Sequence, residues 1–177
     1  MLENKYANPY NDLLQNNRCV YLFGQINNES SFKCITELMY LDTQGEDDIL
    51  LYINSPGGNV SDGFAIIDIL EHTSCKVITV CTGLCASIAA LILASGHERW
   101  AFKNSEIMIH QPSAIFNGKV NDITVDARHL FAIHDKIGTH LSKKTGQSKE
   151  KILKDMTTNY YLSTMEALDY NMIDKII

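Results

Sequence analysis

Gly83-Leu84-Cys85-Ala86-Ser87-Ile88-Ala89-Ala90 lies between an apolar run from Lys76 to Cys81 and an alanine-rich run that continues through Ala94. The first run reads as a strand and the second as a helix, so Ser87 falls at a sharp strand-to-helix junction. Its small neighbours Ala86, Ala89 and Ala90 let another backbone come close, and the N–H groups of a helix's first turn have no partner inside the helix. That is how a nucleophile elbow is built. A serine before an apolar run is also an ordinary helix cap, so the octapeptide alone supports either reading.

Upstream, Asp48 to Asn54 is a strand apolar on both faces, as expected inside a parallel sheet. It ends in Ser55-Pro56-Gly57-Gly58-Asn59, where a diglycine can turn its amides outward or simply make a tight turn. A helix from Ser61 to about His72 follows, with Phe64, Ile67 and Leu70 inward. Further back, Cys19 to Phe23 is a strand ending at Gly24. Phe32, Ile35, Leu38, Met39 and Leu41 then mark an amphipathic helix from Ser30 to Asp42. Residues 1–17 are polar and asparagine-rich with a short helical turn at Tyr10 to Leu14, and read as a mobile arm or docking segment.

Downstream, Gly96 is placed to close the alanine-rich helix, and short strands appear at Arg99 to Phe102 and Ile107 to His110. After the loop Ser113 to Gly118 comes a long helix, ended by Gly146. Val120, Ile123, Ala127, Leu130, His134, Ile137 and Leu141 form a seam on it that can pack against another helix. A helix opening at Ser148, a strand at Tyr160 to Ser163 and a last helix capped by Ser163 complete the chain. Strand and helix alternate with short connections, which predicts an α/β domain with a mostly parallel sheet over residues 18–177.

Composition narrows the function. At 177 residues, 45% hydrophobic and 20% charged, the chain can bury a full core. A net charge of −6 with no basic cluster beyond Lys143-Lys144 argues against nucleic acid as a partner. The apolar runs are too short to cross a membrane, and Met1 to Lys5 has no secretory h-region. Five cysteines without a Cys-x-x-Cys pair fit reduced thiols in a cytosol, and cytoplasmic location is the expectation. Cys85 reads as a small packed thiol. His129 and His134 are five apart and do not share a helix face, so no metal site is expected. No phosphate-binding Gly-x-x-x-x-Gly-Lys-Ser/Thr loop is present.

Ser55-Pro56-Gly57-Gly58, Gly83-x-x-Ala86-Ser87-x-Ala89-Ala90 and Met108-Ile109-His110-Gln111-Pro112, in that order, resemble the ClpP family, the proteolytic subunit of the ATP-dependent Clp protease. Tyr161-Leu162-Ser163-x-x-Glu166-Ala167-x-x-Tyr170-x-x-Ile173-Asp174 is similar to that family's closing motif. The resemblance implies a ClpP/crotonase-like fold with a protruding handle region at about 111–145. It also implies a serine endopeptidase built as two stacked seven-membered rings around a chamber. It makes Ser87 the nucleophile, His110 the general base, and the amides of Gly58 and Ile88 the oxyanion hole. Pro112, Ser113, Ala114, Ile115 and Phe116 fall on the substrate-binding strand. It implies no cofactor, since ATP is hydrolysed by a separate AAA+ unfoldase partner that feeds unfolded polypeptides into the barrel.

The sequence also departs from the family pattern. The triad position that is normally aspartate falls on Asn159. An amide cannot balance an imidazolium charge, and in chymotrypsin-like proteases the Asp→Asn change costs ~10⁴ in kcat, about 5.4 kcal/mol. Papain-like enzymes nevertheless use asparagine as the third member. Thr157 and Thr158 stand where the family commonly has an acidic-basic pair contacting the other ring, Lys119 replaces a usual glutamine, and Ser113-Ala114 a usual diglycine. Leu50 replaces an aromatic of the ATPase-docking groove. These departures suggest a divergent, second-type paralogue, weakly active alone and activated in a mixed tetradecamer with a more typical ClpP. A non-catalytic ring subunit and an acyl-CoA hydratase or isomerase on the same fold are the competing readings.

Overall fold

The chain folds, in a computed structural model that describes residues 9–177, around one sheet whose central strand divides between two neighbours. Residues 1–8 of the expected arm lie outside the described residues. The arm's predicted helical turn is helix α1 (Pro9–Gln15), whose Leu14 packs onto the core. Strand β1 (Cys19–Phe23) leads to α2 (Asn28–Thr43), which starts with a capping box between Asn27 and Ser30. Helix α2 turns Cys34, Leu38 and Leu41 inward. Phe32 and Met39, expected on the same apolar face, are instead 71% and 53% exposed. Helical spacing defined an apolar stripe wider than the one that β1 and α3 cover.

Strand β2 (Ile49–Ser55), helix α3 (Val60–His72), strand β3 (Val77–Ala86) and helix α4 (Ile88–Ala94) form the centre. Every residue of α4 is buried. A helix apolar all round can only sit inside. Its last turn closes on Ser95 in right-handed conformation, and Gly96 follows directly without a positive φ. Gly96 is needed for space: a Cβ there would lie 2.4 Å from Thr79 Oγ1 and 2.8 Å from the Glu98 carbonyl oxygen.

Strands β4 (Glu98–Ala101) and β5 (Glu106–Ile109) follow, then the long helix α5 (Val120–Thr145). Ile137, Gly138 and Leu141 of α5 are buried, while Val120, Val125 and Phe131 project into solvent. Gly146 ends it in left-handed conformation, φ 73°, as its sequence position suggested. Helix α6 (Lys149–Asp155), strand β6 (Tyr160–Ser163), helix α7 (Thr164–Asp169) and the two-residue strand β7 (Lys175–Ile176) complete the chain. Ser163 and Glu166 make the capping box of α7. Strand β7 is too short to carry a period of its own.

The strand order is β1-β2-β3-β4-β7, all parallel, in agreement with the α/β class. Strand β3 forks: Ile78 to Cys81 pair with β4, and Leu84 to Ala86 pair with β5. Strand β6 then runs antiparallel to β5. The fork brings the end of β3 beside the end of β5. Buried Arg99 fastens β4 to the chain end through a double contact with Asp174, and donates to the carbonyls of Lys144 at 3.0 Å and Asn171 at 2.7 Å. No helix among the described residues is long and apolar enough to cross a membrane.

Candidate active site

Ser87 sits between β3 and α4 at φ 58° and ψ −126°, backbone angles an L side chain rarely adopts. Its own N–H donates to the Met108 carbonyl at 2.8 Å, which clamps the elbow against β5. Its side chain makes no capping bond to α4, so the cap reading of this serine fails. The hydroxyl is directed elsewhere: Ser87 Oγ lies 2.9 Å from His110 Nε2. The parallel register Ala86↔Met108 explains the meeting, because it carries the residues just past the two strand ends side by side.

The loop from Ser55 to Asn59 presses on the elbow from the β2 side. A Cβ on Gly57 would stand 2.7 Å from both the Ala86 carbonyl oxygen and Ser87 Cβ, and 3.3 Å from the Ile88 nitrogen. Gly58 is held by a parallel bridge to Ile26, made by Ile26 N–H to the Gly57 carbonyl and Asn59 N–H to the Ile26 carbonyl, both 2.9 Å. Neither bond uses the Gly58 N–H. Among the described residues the Gly58 and Ile88 amides have no hydrogen-bond partner, and free backbone donors beside a nucleophile suit a developing oxyanion. Gly63 of α3 seats Ile88: a Cβ there would fall 2.1 Å from Ile88 Cγ1.

Asn159 lies in the short connection between α6 and β6 and is exposed. The antiparallel pair Ile109↔Tyr160, continued by one residue, sets it opposite His110. No hydrogen bond joins the two side chains, and the His110 ring has Ser87 as its hydrogen-bond partner among the described residues. The structure thus brings Ser87 and His110 together, while Asn159 stands in register without engaging the ring. Pro112 to Phe116 run without regular structure; Ser113, Ala114 and Ile115 are exposed, Ile115 to 99%.

Two side chains that shape this site were not singled out from sequence. Ser105 Oγ donates to the Cys81 carbonyl at 2.9 Å and accepts from the Gly83 N–H at 3.1 Å. Asn54 Oδ1 accepts from the Leu84 N–H at 3.2 Å. Both hold the β3 bulge leading to the elbow, and neither carries a sequence signal, because the bulge exists only in the strand pairing. Gln111, visible within His110-Gln111-Pro112, donates its main-chain N–H to the Met156 carbonyl at 2.8 Å. It thereby ties the histidine's strand to the segment that leads to Asn159. Cys85 is a buried thiol within β3. No cluster of three or more metal-ligating side chains occurs among the described residues.

The candidate active site is thus Ser87 at a strained strand-to-helix elbow, 2.9 Å from His110 Nε2, on a mostly parallel α/β sheet. A family model described as Clp protease matches residues 2–177, and the chain belongs to the Clp protease family.

Proposed function

We propose that the chain is a serine endopeptidase subunit of an ATP-dependent Clp protease, with Ser87 as nucleophile and His110 as general base. The observation that carries this reading is the 2.9 Å contact of Ser87 Oγ with His110 Nε2 at the strained elbow. Nε2 takes the hydroxyl proton as Oγ attacks the peptide carbonyl carbon. The oxygen that becomes negative receives the amides of Gly58 and Ile88, and the histidine then passes its proton to the leaving amine. Water, activated by the same histidine, releases the acyl group. An oxyanion donor of this kind contributes ~100-fold or more in rate. The unpaired backbone from Pro112 to Phe116 offers an edge on which an extended peptide can lie as an added strand, with Ile115 free to contact its side chains.

For Nε2 to accept a proton, Nδ1 must carry one, and Asn159 is the residue in register to orient it. Because no bond joins Asn159 to the ring, the isolated chain is expected to turn over peptides slowly. Its assembly into heptameric rings, with a second ClpP paralogue in a mixed tetradecamer, supplies the contacts that draw the 157–159 segment in. A bias of ~2–3 kcal/mol from such contacts shifts a two-state subunit from mostly inactive to mostly active. In this reading the partners are a Clp-family AAA+ unfoldase, which hydrolyses the ATP, and unfolded polypeptides. The protein needs no cofactor and works in the cytoplasm. The loose Asn159 also favours a second reading, a non-catalytic ring subunit.

Hydrolysis of a short fluorogenic peptide by wild type and Ser87→Ala, each alone and mixed with a typical ClpP, tests the proposal. Turnover that appears on mixing and depends on Ser87 supports it. A mixture whose rate is the same with wild type and with Ser87→Ala refutes catalysis by this chain and leaves the structural reading.

A further inference from the structure

Cys81 and Cys85 flank an irregularity in β3 that changes what four residues of strand usually mean. Along β2 the pairing advances two residues, from Ile53 to Ser55, while along β3 it advances four, from Cys81 to Cys85. The surplus forms a bulge at Thr82, Gly83 and Leu84. Thr82 Oγ1 donates to the Ile53 carbonyl at 3.2 Å, and the amides of Gly83 and Leu84 are held by Ser105 and Asn54.

In a regular strand, Cα atoms four residues apart are separated by ~13 Å. Matched to two steps of β2, the two cysteine Cα atoms are brought to ~6.6 Å, inside the ~4.4–6.8 Å span a disulfide requires. Ile53 and Ser55 share one face of the sheet, so their partners Cys81 and Cys85 do as well. It is the face covered by α4, to which neighbouring Thr79 is tied through Leu93 at 2.7 Å. Both sulfurs are fully buried; the Cys81 thiol donates to the Glu106 carbonyl and the Cys85 thiol to the Ile53 carbonyl, each at 3.8 Å.

We propose that Cys81 and Cys85 are a peroxide-responsive dithiol–disulfide couple that locks the bulge supporting the Ser87 elbow. The environment assigns the roles. The neighbouring Cys85 thiol holds the Cys81 thiol below its ordinary value, whereas burial pushes Cys85 well above it. Cys81 as thiolate attacks hydrogen peroxide, the O–O bond breaks, and hydroxide leaves with the thiol proton as one water, giving a sulfenic acid. The Cys85 sulfur then attacks Cys81 Sγ. The S–S bond forms, the S–O bond breaks, and the second hydroxide leaves with the Cys85 proton as a second water. Two thiols and one peroxide become one disulfide and two waters, the two electrons going to the peroxide oxygens. Dithiothreitol reverses the bond by exchange. Cys85 precedes Ser87 by two residues, so fixing its sulfur fixes the approach to the elbow.

The full chain is exposed to hydrogen peroxide, alkylated under denaturing conditions and mapped by mass spectrometry. The expected product is a peptide that links Cys81 to Cys85, lacks two hydrogens, resists alkylation, and regains both sites after dithiothreitol. Cys85→Ala is expected to stop at a Cys81 sulfenic acid that dimedone traps. Peroxide-treated protein in which both thiols still alkylate, or in which Cys81 over-oxidises while Cys85 remains free, overturns the couple. A second readout rests on the proposed protease function: fluorophosphonate labelling of Ser87 is expected to be lost on oxidation and to return on reduction. A disulfide that forms with no change in existing labelling refutes the link to the elbow. A disulfide that forms in a protein that never labels supports the couple and counts against the protease reading.

Discussion

Replacing Gly57 with alanine tests the geometry of the elbow without touching a reacting side chain. Gly57 has φ 92°, and its added Cβ would meet the Ala86 carbonyl oxygen and Ser87 Cβ at 2.7 Å each. Comfortable carbon contacts lie at ~3.5–4.0 Å, so the loop and the elbow must part by about 1 Å. The left-handed backbone costs ~1–2 kcal/mol for a side chain and the overpacking ~1–3 kcal/mol, together about 2–5 kcal/mol. At ~2–4 °C per kcal/mol for a domain of this size, the melting temperature should fall by roughly 4–20 °C. A displacement near 1 Å costs ~100-fold in rate, and a misplaced oxyanion donor costs ~100- to 1000-fold. We therefore expect kcat for a fluorogenic peptide to fall ~100- to 1000-fold in the assembled protease, well below the melting temperature. Gly24→Ala is the control, because Gly24 has φ 81° but nothing within 4 Å of its Cβ position. It should lose stability through the backbone alone and keep kcat. If both variants are folded and Gly57→Ala loses no more activity than Gly24→Ala, the coupling of the diglycine loop to the elbow is wrong.

Asn159→Asp places a carboxylate opposite His110; a charge pair near ~4 Å is worth ~1–4 kcal/mol between water-like and surface-like screening, so kcat of the isolated chain should rise from ~5-fold to several hundredfold, and an unchanged or lower kcat would count against Asn159 as the weak member. Ile115→Asp should leave thermal unfolding unchanged, because Ile115 is 99% exposed, while raising KM for apolar peptides in steady-state assays; an unaltered KM removes this residue from the peptide-binding edge. Hydrogen bonds from Arg99 hold the Asp174 carboxyl below its ordinary value, so the stability it contributes is present above the unfolded value of ~3.9 and is lost as pH falls through the lower folded value. Asp174→Asn should therefore lower stability at neutral pH and shrink the acid-induced loss, read as chemical denaturation midpoints from neutral pH down to pH 3; identical pH dependence in both proteins would refute the Arg99 tie.

Much of the fold was legible because local patterns and tertiary demands agree. The apolar run before Ser55, the capping box at Ser163 and Glu166, and Gly146 at the end of α5 each carry their instruction in adjacent residues. Ser87 and His110 could be named because they stand in short motifs at the ends of strands. Burial was less legible. Phe32 and Met39 match the helical period yet face solvent, since period alone does not set the width of the covered stripe. That Gly96 is also needed for space was not legible, because a glycine needed for left-handed backbone and one needed for space look alike in sequence.

The sequence by itself determined the alternation of strands and helices, the placement of Ser87 at a strand-to-helix junction and the diglycine after β2, because these depend on residue type and near neighbours. Only the tertiary structure decided which groups meet. The fork of β3 sets His110 against Ser87, the Ile26 bridge leaves the Gly58 amide free, and the register of β5 with β6 puts Asn159 opposite the histidine without a bond. The bulge that draws Cys81 toward Cys85 is of the same kind, since strand pairing relates residues through a partner strand distant in sequence, and spacing along one strand cannot encode it.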